Sequence, residues 1–257
     1  MSDHRIGMIV PSSNVTMETE LPRMLRAREE VLADERFTFH SIRMRMKHVT
    51  PEELQRMNAQ TERASAELAD ARPDVVASAC LVALMAQGAG YHCQAEEEIS
   101  AALHAEGVDV PVISSAGALL HGLSALGARK VAIVTPYMKP LTKLVADYLE
   151  DAGVQVLDSL SLEVQDNLAV AALDPADLLE HWRRVDVSEA DALILSCCVQ
   201  MPSLSAIQPV EDLVGIPVLS AATATVHSML EALGLQTWVP GAGRLLRGDV
   251  RAAASRS

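Results

Sequence analysis

Cysteine is the residue type in this sequence best suited to covalent or proton-transfer chemistry, and it occurs at Cys80, Cys93, Cys197 and Cys198. Two of these occupy comparable places. Cys80 closes the apolar run Val75-Val-Ala-Ser-Ala, and Cys198 closes Leu193-Ile-Leu-Ser-Cys. A thiolate between a strand end and a helix start meets unpaired backbone N–H groups and the positive end of the helix dipole, which lowers its pKa. Cys80 is followed by Leu81-Val-Ala-Leu-Met-Ala, a helix start, and Cys198 by Val199-Gln-Met-Pro-Ser-Leu. The same N–H groups would receive a carboxylate. One thiol can then act as nucleophile or base, and the other as acid from the opposite face. Against this stands the ordinary role of a free cysteine as a small core hydrophobe. Cys197 lies one position earlier, so strand alternation aims it the other way, into the core. Cys93 falls in a loop after Gly88-Ala-Gly-Tyr-His and is read as incidental.

Other polar residues follow apolar runs. Ser12, Ser13 and Asn14 come after the first, Tyr137 after Lys130-Val-Ala-Ile-Val-Thr-Pro, and Asn167 after a short strand-like stretch. The amides of Asn14 and Asn167 and the phenol of Tyr137 are neutral donors suited to a carboxylate oxygen. Asparagine is also a common turn and cap residue, which is the plainer reading. Arg43, Arg45 and Lys47 alternate with Ile42, Met44 and Met46. This suits an edge strand whose charges deter further pairing, with added positive potential near an anion as a second reading. Gly241-Ala-Gly-Arg-Leu-Leu-Arg-Gly248 lacks the dinucleotide-binding spacing, and no Walker loop, His-Glu-x-x-His or Gly-x-Ser-x-Gly occurs.

The elements that would position these groups alternate along the chain. Residues 5–10 and 37–46 read as strands. A helix starts with Thr50 as N-cap, Pro51 at N1 and Glu53 at N3, and runs to about Ala71. A buried strand spans 74–79, a helix 95–106 and a strand 110–113. This rhythm predicts a parallel sheet covered by helices on both faces. The second half repeats the first. Arg5-Ile-Gly-Met-Ile-Val-Pro matches Lys130-Val-Ala-Ile-Val-Thr-Pro, and Val75-Val-Ala-Ser-Ala-Cys80 matches Leu193-Ile-Leu-Ser-Cys-Cys198. Val110-Pro-Val-Ile-Ser-Ser-Ala-Gly-Ala likewise matches Ile216-Pro-Val-Leu-Ser-Ala-Ala-Thr-Ala. The offsets, 125, 118 and 106, shrink along the chain, as two copies with different loop lengths require and a fixed-period solenoid does not. The prediction is an α/β protein of two similar parallel-sheet halves related by pseudo-two-fold symmetry, 1–116 plus 221–257 and 117–220. Helices over 117–126 and 223–233 cross between them. If the halves face each other, the cleft between them brings Cys80 and Cys198 together.

Composition narrows the function. The 257 residues carry 21 Lys plus Arg against 34 Asp plus Glu, a net charge of −13. That excludes the basic footprint of a nucleic-acid binder and disfavours an anionic membrane surface. Apolar types make up 49% of the chain, enough for a core, yet no run of about 20 apolar residues offers a membrane span. The N-terminus enters a strand almost at once, so no signal peptide is expected. Four cysteines without zinc-type spacing suggest free thiols in the cytoplasm.

Together, Pro11-Ser-Ser-Asn14-Val-Thr, Thr135-Pro-Tyr137-Met, Cys80-Leu-Val-Ala, Cys198-Val-Gln-Met-Pro-Ser-Leu and Ser220-Ala-Ala-Thr resemble the maleate cis-trans isomerases. These belong to the aspartate/glutamate racemase superfamily, which also contains arylmalonate decarboxylases. The resemblance covers nearly the whole chain, and the string after the Cys197-Cys198 doublet selects Cys198. It implies Cys80 as nucleophile, Cys198 as acid/base partner, and Asn14, Tyr137 and Asn167 as carboxylate-binding side chains. The backbone around Val82 would form part of the wall closing over the substrate. It further implies maleate and fumarate as ligands, no cofactor or metal, and a homodimer. An amino-acid racemase would use the same two thiols. An arylmalonate decarboxylase needs one cysteine, and a non-catalytic dicarboxylate-binding protein needs none that reacts.

Overall fold

The most apolar runs become the central strands because both of their faces are covered. In the computed structural model, which describes residues 2–47 and 51–248, the first half contains four strands, β1 (Ser2–Pro11), β2 (Glu35–Met44), β3 (Val75–Ser78) and β4 (Val112–Ser114). Its helices are α1 (Met17–Glu29), α2 (Pro51–Asn58), α3 (Thr61–Ala69), α4 (Leu81–Met85), α5 (Tyr91–Ala105) and α6 (Ser115–Ala125). The second half contains β5 (Lys130–Thr135), β6 (Gln155–Ser161), β7 (Ala192–Ser196) and β8 (Val218–Ser220). Its helices are α7 (Lys139–Asp151), α8 (Asn167–Ala171), α9 (Leu178–His181), α10 (Leu204–Val214) and α11 (Ala221–Ala232).

The two sheets have the same all-parallel order, β2-β1-β3-β4 and β6-β5-β7-β8. The repeated sequence runs thus occupy equivalent strands. In each sheet the order reverses between the first strand and the third, β1 with β3 and β5 with β7. That reversal opens a crevice at the carboxyl ends of the strands. The loops carrying Asn14 and Cys80 leave one crevice, and those carrying Tyr137 and Cys198 leave the other. Helices α6 and α11, each capped by the serine that ends the preceding strand, pack against each other.

Three local expectations are revised. The predicted helix from Thr50 to Ala71 is two helices, and Thr50 itself lies outside the described residues. The break at Gln60 is a tertiary effect: its side chain accepts the N–H of Arg45 and donates to the carbonyls of Arg45 and Arg56. Helix α5 begins four residues earlier than expected, after Gly90 at φ +71°. Exposed Cys93 therefore sits in its first turn rather than in a loop. Strand β2 is an edge strand, as its alternation suggested. Arg43, however, adds no free positive charge. It donates to the carbonyls of Ser12 and Asn14 and pairs with Glu18.

Candidate active site

Asn14, Cys80, Val82, Tyr137, Asn167 and Cys198 all line one cavity of about 340 Å³. Each is delivered by a different backbone device. Asn14 turns its Oδ1 to the N–H groups of Thr16 and Met17 at 3.0 Å, capping α1. The cap role and the site role are thus compatible: fixing the carbonyl leaves the Nδ2 amide as the donor end. Cys80 stands at the head of α4 with φ +96° and ψ +60°, a left-handed conformation that a non-glycine residue holds at a cost of about 1–3 kcal/mol. Such strain persists where the surroundings over-determine it, and here Ala79 N–H is tied to Ile9 O at 2.9 Å while the Cys80 carbonyl accepts from Ala83.

Cys198 is held differently. No helix starts beside it; the chain turns through Val199 and Gln200, and α10 begins at Leu204. The Ser196 hydroxyl fixes the loop by donating to the Cys198 carbonyl at 2.9 Å. The Tyr137 hydroxyl donates to the Cys197 carbonyl at 3.5 Å, and the Met201 N–H to the Cys198 carbonyl at 3.2 Å, so both stand beside the Cys198 thiol. Cys197 is fully buried, as its strand parity required.

The thiols do not have the depressed pKa that the helix-start argument expected. Burial pushes the Cys80 thiol up to about 12; the Ala83 N–H opposes this and the neighbouring Cys198 reinforces it. Burial also raises Cys198, against the Tyr137 hydroxyl and the Gln200 and Met201 N–H groups. The physical reason is that α4 has only five residues and so a short dipole. Among the described residues, no lysine or arginine lines the cavity to favour a thiolate. The Tyr137 phenol is pushed well above its ordinary range by burial and by the cysteines around it, so it stays a hydrogen-bond donor.

Gln200 is a site residue that the sequence reading missed. Its Nε2 donates to the carbonyls of Ser13 at 2.9 Å and Asn167 at 2.8 Å, and its Oε1 accepts the N–H of Val15 at 2.9 Å. One buried side chain thereby ties the loop after β1 to the start of α8 and to the Cys198 loop. Asn167 also donates from Nδ2 to Ser13 Oγ at 2.8 Å. A glutamine in a turn carries no local signature, so only its place in the Cys198 string could have drawn attention to it. Pro11, Met46, Leu81 and Val199 complete the wall. A second cavity, about 360 Å³, borders Cys80 but not Cys198, Asn14, Tyr137 or Asn167, so two thiols cannot act there on one molecule.

Two thiols on one cavity, with neutral donors and an apolar wall, suit the addition of a nucleophile to a small dianion with proton delivery by the second thiol. Comparison with known proteins points the same way. The arylmalonate decarboxylase family model matches residues 6–246. Maleate isomerase of Alcaligenes faecalis is 58% identical over 248 residues, 96% of this chain and 98% of that one. A cysteine-to-alanine form of the maleate isomerase Iso from Pseudomonas putida S16, solved with maleate, superposes with TM-score 0.94 at 54% identity, covering 96% of this chain and 98% of that chain. A cysteine-to-serine mutant of Nocardia farcinica maleate cis-trans isomerase, with a covalently bound succinylcysteine intermediate, gives 0.92 at 50% identity, covering 96% and 100%. Sequence, fold and cleft together place the chain in the maleate isomerase family, within the racemase-like superfamily shared with arylmalonate decarboxylases.

Proposed function

We infer that the chain converts maleate to fumarate by covalent catalysis without a cofactor, and that Cys80 and Cys198 carry the reaction. The observation that carries this reading is the pair of repeat-related thiols lining one cavity. Rotation about a double bond is the chemical problem; even the partial double bond of a peptide resists with about 18–20 kcal/mol. The enzyme removes the double bond for one step. In the reactive state the two thiols share one proton, held by Cys198. The Cys80 thiolate forms a bond to C2 of maleate, and the π electrons take the Cys198 proton onto C3. Cys198 is then the thiolate. The succinylcysteine rotates about its C2–C3 single bond. Cys198 removes the C3 proton, the double bond re-forms, and the C2–S bond breaks to return the Cys80 thiolate. Atoms and charge balance, and the covalent species is the one seen in the Nocardia relative.

The remaining residues bind and orient. Asn14, Asn167 and Tyr137 offer neutral donors to the two carboxylates, and the first N–H groups of α4, at Leu81 and Val82, lack intrahelical acceptors. In a dry cleft such fixed dipoles stabilise charge without a counter-ion. Among the described residues the cavity wall holds no Asp or Glu to receive an ammonium group, which favours a plain dicarboxylate over an amino acid. We divide the chain into 1–116 plus 221–257 and 117–220, a division supported by the two sheets. The homodimer rests on the family resemblance, and light scattering tests it. The four free cysteines suit a reducing cytoplasm. No helix among the described residues is long and apolar enough to cross a membrane.

The test is proton NMR of reduced protein with maleate, for wild type, Cys80→Ala, Cys198→Ala and Cys197→Ala. Fumarate from wild type and Cys197→Ala but from neither of the other two is the expected result. Turnover by Cys198→Ala would overturn its role. Absence of fumarate from wild type, with exchange of the α-proton of aspartate in D₂O, would move the protein to the racemases.

A further inference from the structure

Away from the thiol cleft, the packed pair α6 and α11 carries a cluster that the isomerisation does not use. His121 on α6 and His227 and Glu231 on α11 bring one ligand atom each to within 4.8 Å of one another. None of them lines the active-site cavity. His227 and Glu231 are four residues apart and so share one helix face. His121 Nε2 lies 2.5 Å from Glu231 Oε2, and His227 Nδ1 lies 3.6 Å from the same oxygen. The two histidines are equivalent in the internal repeat: 227 − 121 = 106, the offset that also relates Val110 to Ile216. The pseudo-symmetry that pairs the thiols therefore also pairs these imidazoles, with ring centroids 5.8 Å apart.

An independent feature points to a ligand. His227 is only 4% exposed, and its Nδ1 is buried with no hydrogen-bond partner. A buried imidazole nitrogen in this state is costly unless something binds it. His121 and Glu231 are half exposed and border an open cavity of about 850 Å³, which gives an ion a path.

We propose that His121, His227 and Glu231 form a three-ligand site for a divalent transition metal ion of the zinc class, stapling α6 to α11. Two imidazoles and one carboxylate are a donor set for zinc, whereas magnesium and calcium prefer oxygen alone. Bonds of about 2.0–2.1 Å in a tetrahedron set donors about 3.3 Å apart. The 2.5 and 3.6 Å spacings to Glu231 bracket that value, and the two imidazoles, within 4.8 Å of each other, reach it by rotating toward the ion. Water from the open cavity would take the fourth position.

The test uses the chelator-treated full chain. Zn²⁺ is titrated by calorimetry, Co²⁺ by absorption, and Tm is measured with and without Zn²⁺. Wild type is expected to bind one equivalent, to show no thiolate-to-cobalt charge-transfer band, and to gain Tm. His121→Ala and Glu231→Gln should each weaken Zn²⁺ binding about tenfold or more while still turning over maleate. His227→Gln should do the same; because this position is buried, the two exposed variants decide the matter if it fails to fold. Equal affinity in wild type and His121→Ala would overturn the proposal and leave an ordinary histidine–glutamate pair. A thiolate band would overturn it by placing the metal on cysteine.

Discussion

Replacing Tyr137 by phenylalanine keeps the buried ring and deletes one hydroxyl, which donates to the Cys197 carbonyl at 3.5 Å and favours a thiolate at the adjoining Cys198. The interaction with Cys198 strengthens when that thiol has given up its proton, because the hydroxyl then faces an anion. A hydrogen bond to a charged group contributes about 1.5–3 kcal/mol, and about 1.4 kcal/mol is tenfold in rate. Tyr137→Phe should therefore lower kcat/KM by about 10- to 150-fold, with much of the loss in kcat. The sign of the pH effect follows from the same contact. The hydroxyl lowers the Cys198 pKa, so its removal lets burial push the thiol further up. The pH at which Cys198 loses the proton it must deliver therefore moves further above the assay range, and no new alkaline fall in rate should appear below about pH 9. Initial rates of fumarate formation across pH, with circular dichroism as a fold control, measure both effects. A variant within about threefold of wild type, or a new alkaline fall in rate below about pH 9, would refute the assignment.

Three further outcomes are expected. Gln200→Ala leaves two carbonyls and one N–H of the cleft loops without partners, so unfolding stability should fall by about 3 kcal/mol and KM should rise; unchanged urea midpoint and KM would contradict its linking role. With the Cys80 thiol pushed up to about 12, wild-type kcat/KM should climb about tenfold per pH unit from about pH 6 to about pH 8, and a flat profile would show a thiolate already formed at rest. Glu20 on α1 is raised by burial, opposed by the N–H groups of Leu204 and Ser203. Its folded pKa therefore exceeds its unfolded one, and its stabilising contribution, full below the unfolded value, is lost as pH rises through the folded value. Glu20→Gln keeps the Oε1 acceptor for both N–H groups without titrating. Denaturant unfolding should show the variant gaining on wild type from about pH 4 to about pH 7; a variant that loses ground over that range would be inconsistent with the burial penalty.

The strands, the repeat and the paired cysteines are written in local pattern. The apolar runs at Arg5, Lys130, Val75 and Leu193 are strands because strand burial on both faces leaves a contiguous signal. Their repetition fixed the two-half architecture, and the cysteines at matched strand ends marked the cleft. Parity along the strand was enough to assign Cys197 to the core and Cys198 to the cavity. Other properties depend on groups distant in the chain and emerge only when the elements pack. Gln60 breaks a continuous helical pattern by bonding to Arg45 on the strand side. Gln200 organises the site through Ser13 and Val15, which lie 187 and 185 residues away. The thiol pKa values reverse the expected direction because desolvation depends on how completely the cleft closes around the sulfur, and a five-residue helix cannot offset it. Likewise the meeting of His121 with His227 and Glu231 needed two helices to pack side by side, a fact that helical spacing in either one leaves open.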